Sequence, residues 1–177
     1  ISLMMGNNCH IVVYPVNKNK ELNLVCIIRE KKYDPDKIKL LIDKIVAQNS
    51  KLEKIFSGEL KSWPLYSTNK ILPSTNSKVF YIGDAFNGFL PTLAQGAGQS
   101  IESAYELFNL LIEEKEKDVQ NIYFKERLKK AKIVRKRSNL NFFTFHFSSS
   151  IMKIVRNFFI KFLVKRKSFL NFYLGRI

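Results

Sequence analysis

The chain reads as a mixed α/β protein, and three patterns predict that class. Short runs with β-rich or alternating character occur at residues 10–16, 22–28 and 79–82. Apolar stripes at helical spacing run through residues 38–46, 101–112 and 151–163. Between the last strand run and its helix lies an acidic, glycine-rich loop, the usual setting for a ligand site at the carboxyl end of a sheet.

Residues His10–Val16 and Leu22–Ile28 are joined by the polar NKNKE and predict a β-hairpin. A turn centred on Asn19 pairs Val16 with Leu22 and Val12 with Cys26. Cys9 then stands about three residues from the position opposite Cys26, roughly 10 Å at strand rise, too far for a disulfide. Two reduced cysteines point to a cytoplasmic chain. His10 has no Cys, Asp or second His at ligand spacing, so no metal site is expected. The opening ISLMMGNNCH carries no element signal.

Asp34 as cap and Pro35 at the first helical position begin a helix with Ile38, Leu41, Ile42, Ile45 and Val46 on one face. Ser50-Lys-Leu-Glu53 predicts a second capped helix that Gly58 closes. Trp63 and Tyr66 around Pro64 suggest an edge strand or an extended connection.

The organising stretch runs from Val79 to Leu111. Val79-Phe80-Tyr81-Ile82 predicts a buried strand, Gly83-Asp84 ends it, and a loop carrying Pro91 leads to Gly96-Ala97-Gly98. The following helix has Ile101, Ala104, Tyr105, Phe108, Leu111 and Ile112 on one face, expected to be its core side. A carboxylate accepts hydrogen bonds without donating, so Asp84 suits a polyol hydroxyl. Gly83 allows close approach of a ligand to the backbone. The unpaired N–H groups of the first helical turn favour an acceptor or anionic group there. The plainer reading is a tight turn whose glycines serve geometry only.

GDAFNGFLPTLAQGAGQSIESAYEL resembles the second flavin fingerprint of the class A flavoprotein monooxygenases, the aromatic hydroxylases of salicylate-hydroxylase type. Gly83, Asp84, Ala85, Pro91, Gln95, Gly96 and Glu102 stand where that pattern expects them; Asn87, Gly98 and Ser103 depart from its His, Asn and Asp. HIVVYPVNKNKELNLV and YFKERLKKA extend the likeness over most of residues 9–137. The resemblance implies the carboxyl-terminal part of an FAD/NAD(P)-binding Rossmann-like fold plus part of the substrate-domain β-sheet. It assigns residues 1–66 to the substrate domain, 67–137 to the FAD-binding domain and 138–177 to a basic helical tail. It further implies FAD as cofactor, NADH or NADPH as co-substrate, and oxygen-dependent hydroxylation of a small aromatic ring. Asp84 would hold the ribityl chain, Pro91 would border the flavin, and Gly96, Ala97 and Gly98 would face its pyrimidine edge. His10 and Tyr14 become candidate pocket residues, with a core or edge role preferred. No general base is assignable.

No strand–GxGxxG–helix occurs in the sequence, so the pyrophosphate-cradling half is expected on a missing amino-terminal part of the enzyme. The alternative is a non-catalytic remnant or interaction module. Charge separates the body from the tail: residues 1–124 hold 15 Lys/Arg against 14 Asp/Glu, and residues 125–177 hold 15 against Glu126 alone. Residues 119–137 read as a basic helix with too few apolar residues for a wide core face. In 151–163, Ile151, Val155, Phe158 and Phe162 form an apolar stripe beside Lys153, Arg156 and Lys161, a cationic amphipathic helix. The preferred reading packs that stripe on the body or a partner subunit; the alternative is peripheral membrane contact through 151–167. Nucleic-acid binding is disfavoured, because no recognition motif accompanies the basic residues. No signal peptide or apolar run of 18 residues occurs in the sequence.

Overall fold

The computed structural model describes residues 1–47, 53, 56, 59–76, 78–113 and 118–174. The fold is mixed α/β: one small antiparallel sheet, then helices. Two compact units form, one from residues 1–64 and 145–155, the other from 65–144 and 156–177.

In the first unit, β1 (Ser2–Met5), β2 (Cys9–Val16) and β3 (Glu21–Ile28) make a sheet of order β1-β2-β3. The hairpin forms as its alternation predicts, but β2 and β3 pair Val16 with Glu21 and Val12 with Val25, one position from the expected register. Asn17, Lys18 and Asn19 all take positive φ, which closes the turn one step earlier than a centre at Asn19. Cys26 therefore sits opposite Ile11, and both thiols are free. Burial, with Cys9 close by, pushes the Cys26 thiol up to about 12. Strand β1 was not legible in ISLMM, which lacks turn residues before it and alternation within it.

Ile11 and Val13, two apart on β2, face a core with Phe56. Helix α1 (Pro35–Ala47) lays Ile42, Ile45 and Val46 on that core. Its cap is the expected one: Asp34 Oδ1 accepts from the N–H groups of Asp36 and Lys37 at 3.1 and 3.2 Å. The predicted helix from Ser50 to Gly58 falls largely outside the described residues. Residues 59–66 take neither helix nor strand, so the edge strand considered for them is not observed.

The second unit is helical: α2 (Asp84–Asn87), α3 (Gly96–Glu113), α4 (Val119–Phe145), α5 (Ser150–Leu163) and α6 (Lys167–Leu174) are its principal elements, α4 and α5 having their Phe145 and 150–155 ends in the first unit. The buried strand expected at Val79–Ile82 is not observed. The segment has no strand partner among the described residues, and Val79, Tyr81 and Ile82 are exposed. Its carbonyls turn to α4 instead: Tyr123 Oη donates to Tyr81 O at 2.9 Å, and Gln120 Nε2 to Val79 O at 3.2 Å. The core beneath joins Phe86, Tyr123 and Ala131, with Phe80 and Phe124 adding edge-to-face ring pairs.

Two helices bury the side that hydropathy did not select. On α3, Ile101, Tyr105, Phe108, Leu111 and Ile112 are exposed, while Gln99 and Ser103 are buried. On α5, Ile151, Val155, Phe158 and Phe162 are exposed, and Arg156 is the buried residue. Of the expectation that this second stripe packs on the body or a partner subunit, the first form is not met in this chain. Helix α4 differs in the opposite sense. It extends eight residues past Arg137 and buries Tyr123, Arg127, Ala131, Val134 and Ser138 along one face, so it does have a core side. That side is half polar, which is why apolar counting missed it.

Candidate functional site

The candidate site lies in the second unit, between the Gly83 turn and the start of α3. Gly83 takes φ +57° and ψ −137°. A Cβ there would meet Ser100 Oγ at 2.7 Å. The residue's close approach within this chain is to helix α3. Its N–H donates to Ser103 Oγ at 3.2 Å. Asp84 follows as the exposed first residue of α2.

Pro91 is exposed, and its loop is tied to α4 by its neighbour. Thr92 Oγ1 donates to Ser138 O at 2.7 Å, and Asn141 Nδ2 donates to Thr92 O at 3.2 Å. Ala94 adopts positive φ just before the helix. Gly96, Ala97 and Gly98 form the exposed first turn of α3, and the Gln99 N–H donates to Gln95 O at 2.8 Å. The three N–H groups before it are the orphan donors of a helix start. A Cβ at Gly96 would meet nothing within 4 Å.

What fixes this helix start is a charged cluster that sequence reading did not find. Arg127, only 3% exposed, donates from Nη2 to Gln99 Oε1 at 2.8 Å and from Nη1 to Glu106 at 3.1 Å, with Glu102 3.5 Å away. Lys130 bridges Glu102 and Glu106. Burial alone would raise the Glu102 pKa, but Lys130 and Arg127 outweigh it and hold the carboxyl below its ordinary range. The available signal was spacing: Glu102 and Glu106 at i, i+4 can face Arg127 and Lys130 at i, i+3.

Asn87, where the resembled family has His, is fully buried and accepts a hydrogen bond from Arg135 Nη2. Arg135 also lines a cavity of about 210 Å³ with Thr68, Asn69, Gly88, Phe89 and Asn139.

The other two predicted residues belong to the first unit. His10 lies on the sheet face opposite Ile11 and is buried against Phe145 and His146, with Nδ1 2.8 Å from His146 Nε2. Both rings are held near 4, against an ordinary 6.5: His10 by burial and then by His146, His146 by burial and then by Arg29. A partner 136 residues away carries no local signal. Tyr14 is half-buried on the same strand. No group of three metal-ligating side chains occurs among the described residues.

No protein-family model matches the chain. Its fold is similar to that of a salicylate hydroxylase substrate complex, with a TM-score of 0.64 at 18% identity over 93% of this chain and 46% of that one. The shared feature is the fold alone: a small antiparallel sheet followed by a glycine turn and long helices. In sequence, the chain is 30% identical over 145 residues to the FAD-dependent monooxygenase cfoG of Aspergillus candidus, covering 73% of this chain and 33% of that protein. The chain is thus related to the class A FAD-dependent monooxygenases and consistent with a fragment of one. It spans about a third of the length of the curated relative it matches.

Proposed function

We propose that the complete protein is an FAD-dependent monooxygenase that takes reducing equivalents from NADH or NADPH and hydroxylates an aromatic or related ring. The observation that carries this reading is the pairing of Asp84 with an open helix start at Gly96–Gly98, beside a relative named for the same cofactor. The residues fit a flavin. Asp84 offers an exposed, acceptor-only carboxylate for ribityl hydroxyls. Gly96, Ala97 and Gly98 offer orphan N–H donors with open space at Gly96 and the Gln95 side chain beside Gly98, suited to the acceptor edge of the ring system. Pro91 forms the neighbouring wall, held in place through Thr92.

When bound, the flavin supplies the hydride and oxygen chemistry. The chain's own contribution is orientation and preorganised charge. The Arg127–Glu102–Glu106–Lys130 cluster fixes α3, so its N–H donors keep their direction while negative charge grows on the acceptor edge. His10 and Tyr14 remain the proposed pocket-side residues of the substrate domain, and Val79–Ile82 with the α3 stripe is where the remainder of the enzyme would lie.

This chain alone is expected to bind FAD more weakly than micromolar, because nothing in it cradles the pyrophosphate. The test is a flavin titration of this chain, beside the absorption spectrum of the longest polypeptide its gene encodes. A yellow full-length protein and a weakly binding chain support the reading. A colourless full-length protein favours the second reading, a non-catalytic interaction module, which the exposed stripe on α5 would then explain.

A further inference from the structure

Helix α5 has a use that flavin chemistry leaves unexplained. It carries Lys153, Arg156 and Lys161 and no acid, and Lys165, Arg166 and Lys167 follow it directly. Phe158 is 67% exposed and Ile154 69%. Phe159, Phe162 and Met152 are exposed as well. The one cation turned inward is Arg156, whose Nη1 donates to Thr144 O at 3.1 Å and whose Nε reaches Asn157 Oδ1 at 3.0 Å. The helix is therefore held by its polar side while its phenylalanines face outward. Arg166 stacks over the Phe162 ring, 4.2 Å from its centroid, and so keeps its charge beside the apolar stripe.

We infer that α5, with the basic turn at 165–167, binds the surface of an anionic phospholipid bilayer. Three properties select this occupant. A large apolar stripe with cationic flanks is the pattern of an interfacial helix, its rings entering the headgroup boundary while Lys and Arg meet lipid phosphate. The charge is complementary to such a surface throughout, because residues 127–177 contain no acidic side chain. The helix also lies on the bilayer and does not cross it: its 14 residues reach about 21 Å at helical rise, short of a hydrocarbon core of about 30 Å. No helix among the described residues is long and apolar enough to span. An acidic protein partner would also meet both charge and rings, and vesicle binding separates the two occupants.

The experiment uses the full chain in co-sedimentation with phosphatidylcholine vesicles, with and without phosphatidylserine. Binding is expected to the anionic vesicles at low salt and to fall steeply at ~1 M salt, where the screening length is about 3 Å. Lys161→Gln and Lys165→Gln are each expected to lower partitioning about fivefold. The double variant Phe158→Ser/Phe162→Ser is expected to lower it at least about tenfold with an unchanged thermal midpoint, because both rings are already exposed. Three outcomes would each overturn the inference. One is failure of the wild-type chain to bind anionic vesicles at low salt. Another is full binding by the phenylalanine variant, which marks an unspecific attraction of a basic chain. The third is a large fall in that variant's thermal midpoint, or a wild-type dimer that it dissociates, either of which shows the stripe covered by protein.

Discussion

Helices α3 and α5 both turn an apolar stripe outward and a polar residue inward, yet the charges the two helices carry are opposite in sign and differently used. Residues 96–113 carry Glu102, Glu106 and Glu113 and no Lys or Arg; residues 150–163 carry Lys153, Arg156 and Lys161 and no acid. On α3, Glu102 and Glu106 are turned to Arg127 and Lys130, so the outward stripe is left with little charge and suits a protein neighbour, whereas Lys153 and Lys161 meet no acid on α5 and are drawn to anionic lipid. The stripes alone look alike, and their flanking charge tells apart what each is built to meet. The shared lesson concerns what holds such helices: buried polar side chains help fix them, on α3 together with Leu107 and Leu110 on the core, and the exposed apolar stripes remain for something else.

The largest expected effect falls on that polar anchoring. Arg127→Leu removes the central cation of the α3 cluster and leaves Glu102 and Glu106 with Lys130 alone. Stability should fall by about 3 kcal/mol in urea denaturation. A loss under ~1 kcal/mol would mean that α3 is held by apolar contacts after all.

The buried His10–His146 pair carries the same idea into the sheet unit. Both rings titrate near 4 when folded and near 6.5 when not. Below pH 6.5 the unfolded chain takes up protons that the folded chain refuses, so the contribution is complete above that pH and fades as the pH approaches 4. Each pKa unit corresponds to about 1.4 kcal/mol, so a loss of roughly 3 kcal/mol per ring is expected across the window. Urea midpoints at a series of pH values check it, and His146→Gln should flatten about half of the slope, because burial still holds His10 low.

On the negative side of the comparison, Asp84→Ala in the complete protein should weaken FAD retention by about 1.5–3 kcal/mol, roughly 10- to 150-fold. Full flavin content in that variant would remove Asp84 from the site. The smallest effects are expected on the stripes themselves. Phe108→Ser and Phe158→Ser should each change the stability of this chain by no more than about 0.5 kcal/mol. The two should then diverge, the first weakening association with a GxGxxG-bearing polypeptide and the second weakening vesicle binding. A loss near the ~3–5 kcal/mol of a buried Phe in either one would dissolve the parallel.

Local signals read well from the sequence. The hairpin declared itself by alternation, and α1 by Asp34, Pro35 and a stripe that the core uses. The register missed by one because three residues of positive φ set the turn, and NKNKE does not advertise where they fall. The faces of α3, α4 and α5 misled for one physical reason. Apolar periodicity locates the side a helix would bury given a partner, whereas Arg127, Gln99 and Arg156 are buried through specific hydrogen bonds that hydropathy scores as exposed. Long-range polar pairs such as His10–His146 leave no local trace. Within the site, Gly83, Asp84 and Gly96–Gly98 were legible through their motif, but the cluster that steadies them was not.

The two glycines that open and close the site answer to different masters. At Gly83 a methyl group would need both a left-handed backbone and the room that Ser100 fills, so the fold itself forbids replacement. At Gly96 a methyl group would project into empty space, and nothing inside this chain objects. A saturation library screened for folding alone should therefore deplete every substitution at 83 and accept alanine at 96. Purifying selection against alanine at 96 would therefore point to something beyond the described residues, and its presence or absence among living variants would register whether that neighbour is still being met.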